Sequence, residues 1–139
     1  MFTFATDYCL GVFVSTLGIL QLAFSVGDVR GLLLFKSRLI ARTLALALTV
    51  CGFVLFFSTG TRNINDYEGG LDAPTQALFF FFGASAAVVA TLVVTSIVNH
   101  RMRGPEADPE AGLDSLRDTN YALSLAHSLR YWWNFCLRR

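Results

Sequence analysis

Three long stretches that are almost free of charge restrict this chain more than any other feature of its sequence. They cover residues 8–26, 39–58 and 77–98, and the only charged side chain among them is Arg42. At 1.5 Å per residue, each would form a helix about 30 Å long, which matches the hydrocarbon thickness of a membrane. Helices of a soluble core are usually shorter and carry a polar stripe. We therefore predict an all-α membrane protein with transmembrane helices at about 8–26, 39–58 and 77–98, within a membrane domain at 1–103.

The composition agrees with lipid as the surroundings of the chain. Apolar residues make up 54% of the sequence and charged residues 15%, whereas soluble domains have about 45–50% and about 25%. These values exclude disordered, collagen-like and disulfide-scaffold proteins. The net charge of +1 offers no excess of basic charge for phosphates, so we expect no nucleic acid as a partner.

The charged residues outside these stretches predict the orientation. The connection after the first stretch carries Arg30, Lys36 and Arg38, and residues 101–103 after the third are again basic, whereas residues 59–76 are acidic. Since basic residues mark the cytoplasmic side, we expect the N-terminus outside and the C-terminus in the cytoplasm. We also expect the first helix to be retained, because no basic residue precedes it as in a signal peptide. The predominance of arginine over lysine favours a bacterial source and hence the bacterial inner (plasma) membrane.

Each predicted transmembrane helix has a side of small residues at three- or four-residue spacing. Small residues allow helix backbones to approach closely in lipid. We expect these sides to pack the three helices together, and the alternative is that some of them dock onto a partner protein. They consist of Gly11, Ser15 and Gly18 in the first helix, Ala41, Ala45 and Gly52 in the second, and Gly83 and Ala87 in the third.

The C-terminal region contains an acidic linker at 104–108 and an amphipathic segment at 109–139. Asp108 and Pro109 are typical of a helix start, so we expect one helix from about Pro109 to near Leu137. From residue 121 onward one side of this helix is apolar, which favours a position on the cytoplasmic membrane surface; docking into a groove of a partner is the alternative. We call this side the aromatic stripe, and it consists of Tyr121, Leu125, Leu129, Trp132, Trp133 and Cys136.

The sequence contains no recognised catalytic or metal-binding motif. G-x-S-x-G, H-E-x-x-H, C-x-x-C and the glycine-rich nucleotide-binding patterns are all missing. We therefore expect no enzyme activity, no catalytic or metal-binding residues and no cofactor. His100 is the one candidate axial ligand for a haem or chlorophyll-type pigment, although a structural role at the membrane interface is preferred. The oxygen-rich loop 62–74 lacks the spacing of a calcium loop, so a polar loop is preferred there to a cation site.

These observations predict a non-catalytic accessory or scaffolding subunit of a larger membrane protein complex. Energy-transducing complexes, respiratory or photosynthetic, are one class that we consider. One alternative is a homo-oligomeric channel or small-solute permeation protein, whose lumen would be lined by Gln21, Thr49, Ser85 and Thr91. Another is a lipid-organising surface protein in which residues 121–139 are the working part. The expected partners are membrane lipid and other membrane subunits, and a homo-oligomer remains open.

Overall fold

The computed structural model of the chain describes residues 4–58, 72–102 and 114–137. Within these ranges the fold is all-helical, which confirms the predicted fold class. The helices are α1 (Phe4–Val26), α2 (Arg38–Phe57), α3 (Ala73–Val98) and α4 (Tyr121–Leu137), and a short 3-10 turn (Arg30–Leu32) lies between α1 and α2. Helices α1, α2 and α3 are each long and apolar enough to cross a membrane, as predicted.

Both α1 and α3 begin earlier than the uncharged stretches indicated. In α1 the helix includes Asp7, because a carboxylate in the first turn is stabilised by the positive end of the helix dipole. In α3 the residue at the N-cap position is Asp72, and Pro74 lies in the first turn, where its missing N–H costs no hydrogen bond. The charge-free stretches therefore mark the apolar parts of longer helices.

Helix α1 lies between α2 and α3, which hardly touch each other. A Cβ atom on Gly52 of α2 would lie 2.7 Å from the backbone nitrogen of Ser15 and 2.8 Å from the carbonyl oxygen of Gly11. A Cβ atom on Gly83 of α3 would likewise lie 2.8 Å from the carbonyl oxygen of Cys9. The backbone of α1 is therefore in contact with both neighbouring helices.

The small residues that we expected to pack the helices lie mainly at these contacts. Ser15 is half-buried, facing Gly52. The others are buried, namely Gly11, Gly18, Ala41, Ala45, Gly52, Gly83 and Ala87.

The chain before α4 differs from the prediction of one helix from Pro109. Residues 114–117 form a 3-10 turn, residues 118–120 are not helical, and α4 begins at Tyr121. The reason is Asn120, whose side-chain oxygen accepts a hydrogen bond from the Ala122 nitrogen at 3.1 Å, in the manner of a helix cap. Residues 103–113, including the linker 104–108 and the predicted start at Asp108, lie outside the described residues.

Candidate functional site

Two buried side-chain amides fix the loop that joins α1 to α2. Gln21 of α1 donates to the Leu32 carbonyl oxygen at 3.2 Å and accepts from the Leu34 nitrogen at 3.0 Å. Asn99, directly after α3, donates to the carbonyl oxygens of Gly31 at 3.1 Å and Leu33 at 2.9 Å. Because buried backbone groups require hydrogen-bond partners, these amides replace the bonds that a regular helix or sheet would provide. The loop is thereby held in one position at the end of the molecule where α1 and α3 end and α2 begins. We call this the basic end, because it contains Arg30, Lys36 and Arg38.

The segment that precedes α4 packs against the same loop. A Cβ atom on Gly31 would lie 2.7 Å from the Leu116 carbonyl oxygen, and the Thr119 carbonyl oxygen is also in contact. Leu116 and Thr119 are buried. Asn120, also buried, donates to the carbonyl oxygen of Ser96 in α3 at 2.7 Å. The start of α4 is therefore fixed against both the loop and α3.

The aromatic stripe of α4 is turned away from the other helices. Trp132 and Trp133 are 59% and 69% exposed, and Leu129 is 62% exposed. Only Tyr121, at the start of the stripe, is half-buried. The side that approaches the rest of the chain is mostly polar and half-buried, and it includes Leu123, Ser124, His127 and Ser128. The start of α4 is therefore fixed, and no other described residue covers the apolar side of the helix beyond Tyr121.

An open groove lies between α2 and α3, with α1 as its floor. Its volume is about 330 Å³. The walls are aromatic, with Phe53 and Phe57 on α2 and Phe80 on α3. The floor, formed by α1, includes small residues and three residues that carry hydroxyl groups. We call it the open groove, and its remaining lining residues are Tyr8, Gly11, Val12, Ser15, Thr16, Ile19, Gly52 and Phe56.

A second cavity, which we call the basic pocket, lies at the basic end. Its volume is about 440 Å³. Three basic side chains and one amide contribute to its lining, and the lining residues are Arg30, Leu33, Lys36, Arg38, Asn99 and Met102.

Asp28 lies next to two of the arginines of the basic pocket. Its Oδ1 lies 2.7 Å from Arg38 Nη2 and 3.4 Å from Arg30 Nε. Desolvation raises the pKa of Asp28, but the hydrogen bond and charge of Arg30, together with Arg38, outweigh it and hold this pKa below its ordinary value. The carboxylate is therefore ionised at neutral pH and keeps both arginines beside the loop.

The candidate pigment ligand is exposed, whereas two of the candidate lumen residues are buried. His100 is exposed, and its Nδ1 lies 2.9 Å from the Ile97 carbonyl oxygen. Gln21 and Thr91 are buried, and the hydroxyls of Thr49 and Thr91 donate to Ala45 and Ala87 of their own helices. The channel alternative concerns an assembly of several copies of this chain, so it stays a prediction. In the described residues no group of three or more His, Cys, Asp or Glu could hold a metal ion.

Asn99 and Asn120 are the structural residues that the sequence interpretation missed. Asn99 directly follows the apolar helix α3 and Asn120 directly precedes the amphipathic helix α4, two positions where an asparagine is usually taken as a loop residue. The available signal was weak: a polar side chain that follows a long apolar helix can bond to a neighbouring loop backbone.

Comparison with models of protein families, with curated protein sequences and with solved structures finds no match for this chain. Its function is therefore inferred from its own residues and geometry.

Proposed function

We propose that this chain is a non-catalytic accessory subunit of a larger membrane protein complex. The open groove would receive one transmembrane helix of another subunit. The observation that carries this proposal is the arrangement of the three long helices, in which α1 contacts both neighbours while α2 and α3 hardly touch. No other described helix covers one side of α1, and a fourth helix placed between α2 and α3 would complete a bundle.

The lining of the open groove favours a helix over a lipid chain as its occupant. Ser15 and Thr16 line the groove with hydroxyl groups, which can bond to polar groups of a helix but not to an acyl chain. The exposed rings of Phe53 and Phe80 can pack against both sides of an inserted helix.

The orientation follows from the charge at the basic end. We place this end at the cytoplasmic face of a bacterial inner membrane, because Arg30, Lys36 and Arg38 cluster there. Arg42 lies one turn deeper in α2, and its Nε donates to the Ser25 hydroxyl at 3.0 Å, which positions its charge near the headgroups. The aromatic stripe of α4 would then lie on the cytoplasmic membrane surface, since tryptophan and tyrosine favour that interface.

The proposal predicts a difference between Phe80 and Phe82 of α3. Phe80 lines the open groove, whereas Phe82 does not and projects about 200° away around the helix. The two side chains are 53% and 59% exposed, so they form a matched pair. A photo-crosslinking phenylalanine analogue at position 80, expressed in native membranes, should join the chain to one defined second polypeptide. The analogue at position 82 should give that product at least about tenfold more weakly, because contact with the inserted helix is lost.

The products also distinguish the other possible occupants of the groove. Crosslinks from position 80 to a second copy of this chain would overturn the accessory-subunit proposal in favour of a homo-oligomer. Crosslinks to lipid alone would overturn it as well. Equal yields of the heterologous product from positions 80 and 82 would show contact around the whole helix and contradict docking in the groove.

A further inference from the structure

The basic pocket has an unbalanced charge. Three of its lining side chains are cationic, and the neighbouring carboxylate of Asp28 pairs with two of them, Arg30 and Arg38. Lys36 forms no ion pair or hydrogen bond with any described residue of the chain. Among the described residues the cluster therefore keeps a net positive charge, and the ammonium group of Lys36 has no carboxylate partner there that would compete with an external anion.

The walls of the basic pocket are held in place without a ligand. Asn99 lines the pocket and anchors the loop through its bonds to Gly31 and Leu33. Asp28 fixes Arg38 at 2.7 Å. Because these groups are already ordered, an anion that binds here loses little free energy to the ordering of the site.

The first turn of α2 adds to the positive potential beside the pocket. Ser37 occupies the N-cap position without a side-chain capping bond, and Arg38 is the first helical residue. The first intrahelical backbone bond starts at the Ala41 nitrogen, which donates to the Ser37 oxygen at 2.9 Å. The N–H groups before it point out of the helix end, which carries a positive partial charge. This supports the side-chain cluster, which is the main component of the site.

The position of the pocket along the spanning helices indicates the source of the anion. It lies where α1 and α3 end and α2 begins, and all three helices are long enough to cross a membrane. This end of a spanning helix lies at the level of the lipid headgroups. Basic pockets between transmembrane helices at that level suit phosphate-bearing headgroups.

We propose that the basic pocket binds a phosphate group through Arg30, Lys36 and Arg38. The source expected from its depth is the headgroup of an anionic membrane lipid. The site is separate from the open groove, so this inference is independent of the partner helix proposed above.

Replacement of Lys36 tests the site with little risk to the fold, because Lys36 has no partner in the described chain. The full chain is placed in nanodiscs of phosphatidylcholine with a small fraction of phosphatidylglycerol, and the retained lipid is measured by native mass spectrometry. We expect the wild-type chain to retain phosphatidylglycerol in preference to phosphatidylcholine. Lys36→Gln should weaken this preference about fivefold, the size expected for one basic residue at a membrane surface.

Arg101→Gln is the matched control. Arg101 lies at the same end and is exposed, but it does not line the basic pocket, so this variant should keep the lipid preference. An equal loss in both variants would show only general attraction to surface charge and would overturn the proposal.

Titration with inorganic phosphate in pure phosphatidylcholine nanodiscs distinguishes the two sources of the phosphate group. Saturable binding of phosphate that depends on Lys36 would support the site and identify a soluble anion as its ligand. Failure to bind either the anionic lipid or phosphate would overturn the site, whatever the result for the partner helix.

Discussion

Gly52→Ala is expected to lower the free energy of unfolding in mild detergent by about 1–3 kcal/mol. The added Cβ would lie 2.7 Å from the Ser15 nitrogen and 2.8 Å from the Gly11 oxygen. Both are backbone atoms, so no side-chain rotation can relieve the contact and α1 must move away from α2. Alanine favours a helix over glycine by about 1 kcal/mol, which offsets part of the loss, and Gly52→Leu should therefore cost more. Denaturation of the purified chain followed by circular dichroism measures the change.

Gly27→Ala is the matched control for this prediction. Its Cβ would lie 3.4 Å from the Ala23 oxygen and 3.5 Å from the Val29 side chain, which are ordinary contact distances. The expected change is within about 0.5 kcal/mol. If Gly52→Ala is as stable as Gly27→Ala, the close contact between α1 and α2 is wrong.

Asn99→Ala is expected to destabilise the basic end by about 2–4 kcal/mol, because it leaves two buried carbonyl oxygens without their donor. These are the oxygens of Gly31 and Leu33, and Asn99 itself is 4% exposed. The loop that carries Arg30 and Lys36 would then open. Hydrogen exchange of residues 29–34 should rise strongly, and the lipid preference of the basic pocket should fall with it.

Asn134→Ala provides the control for the loss of an amide. Asn134 is an exposed residue of α4, so its replacement should change the unfolding free energy by less than about 0.5 kcal/mol. Unchanged exchange of residues 29–34 in Asn99→Ala would refute the role of this amide in holding the loop.

The long helices could be predicted because their signal is local. An uncharged, continuously apolar stretch of about 20 residues favours a transmembrane helix, because a helix forms all its backbone hydrogen bonds within the segment. Small residues at regular spacing, such as Gly52 and Gly83, also indicated which sides come together. The sequence could not predict that α1 is the central helix, because all three helices have a side of small residues.

The basic end was less predictable because its bonds connect distant parts of the chain. Asn99 binds a loop that precedes it by more than sixty residues, and Asn120 both begins α4 and binds Ser96. The apolar periodicity of α4 identified its aromatic stripe. It could not show that the opposite, polar side approaches the other helices, since that depends on how Asn120 and Gly31 fix the start of the helix.

The proposed functions of the two ends are linked by α1. Its first half forms the floor of the open groove through Val12 and Thr16, and its last turns hold the basic loop through Gln21. One central helix therefore positions both a groove inside the bilayer and a charged pocket at its surface. This arrangement suits a subunit that holds another helix and a lipid headgroup in fixed positions.

Both proposals require that the chain crosses the membrane three times with its basic end in the cytoplasm. Single cysteines at two exposed positions test this topology, namely Asp72→Cys before α3 and Asn134→Cys on the side of α4 opposite the aromatic stripe. The native residues Cys9, Cys51 and Cys136 are replaced by alanine in both variants. In sealed right-side-out vesicles, a membrane-impermeant maleimide should label Asp72→Cys at once and Asn134→Cys only after permeabilisation. Labelling of both positions from the same side would contradict three crossings, and the reverse pattern would contradict the orientation.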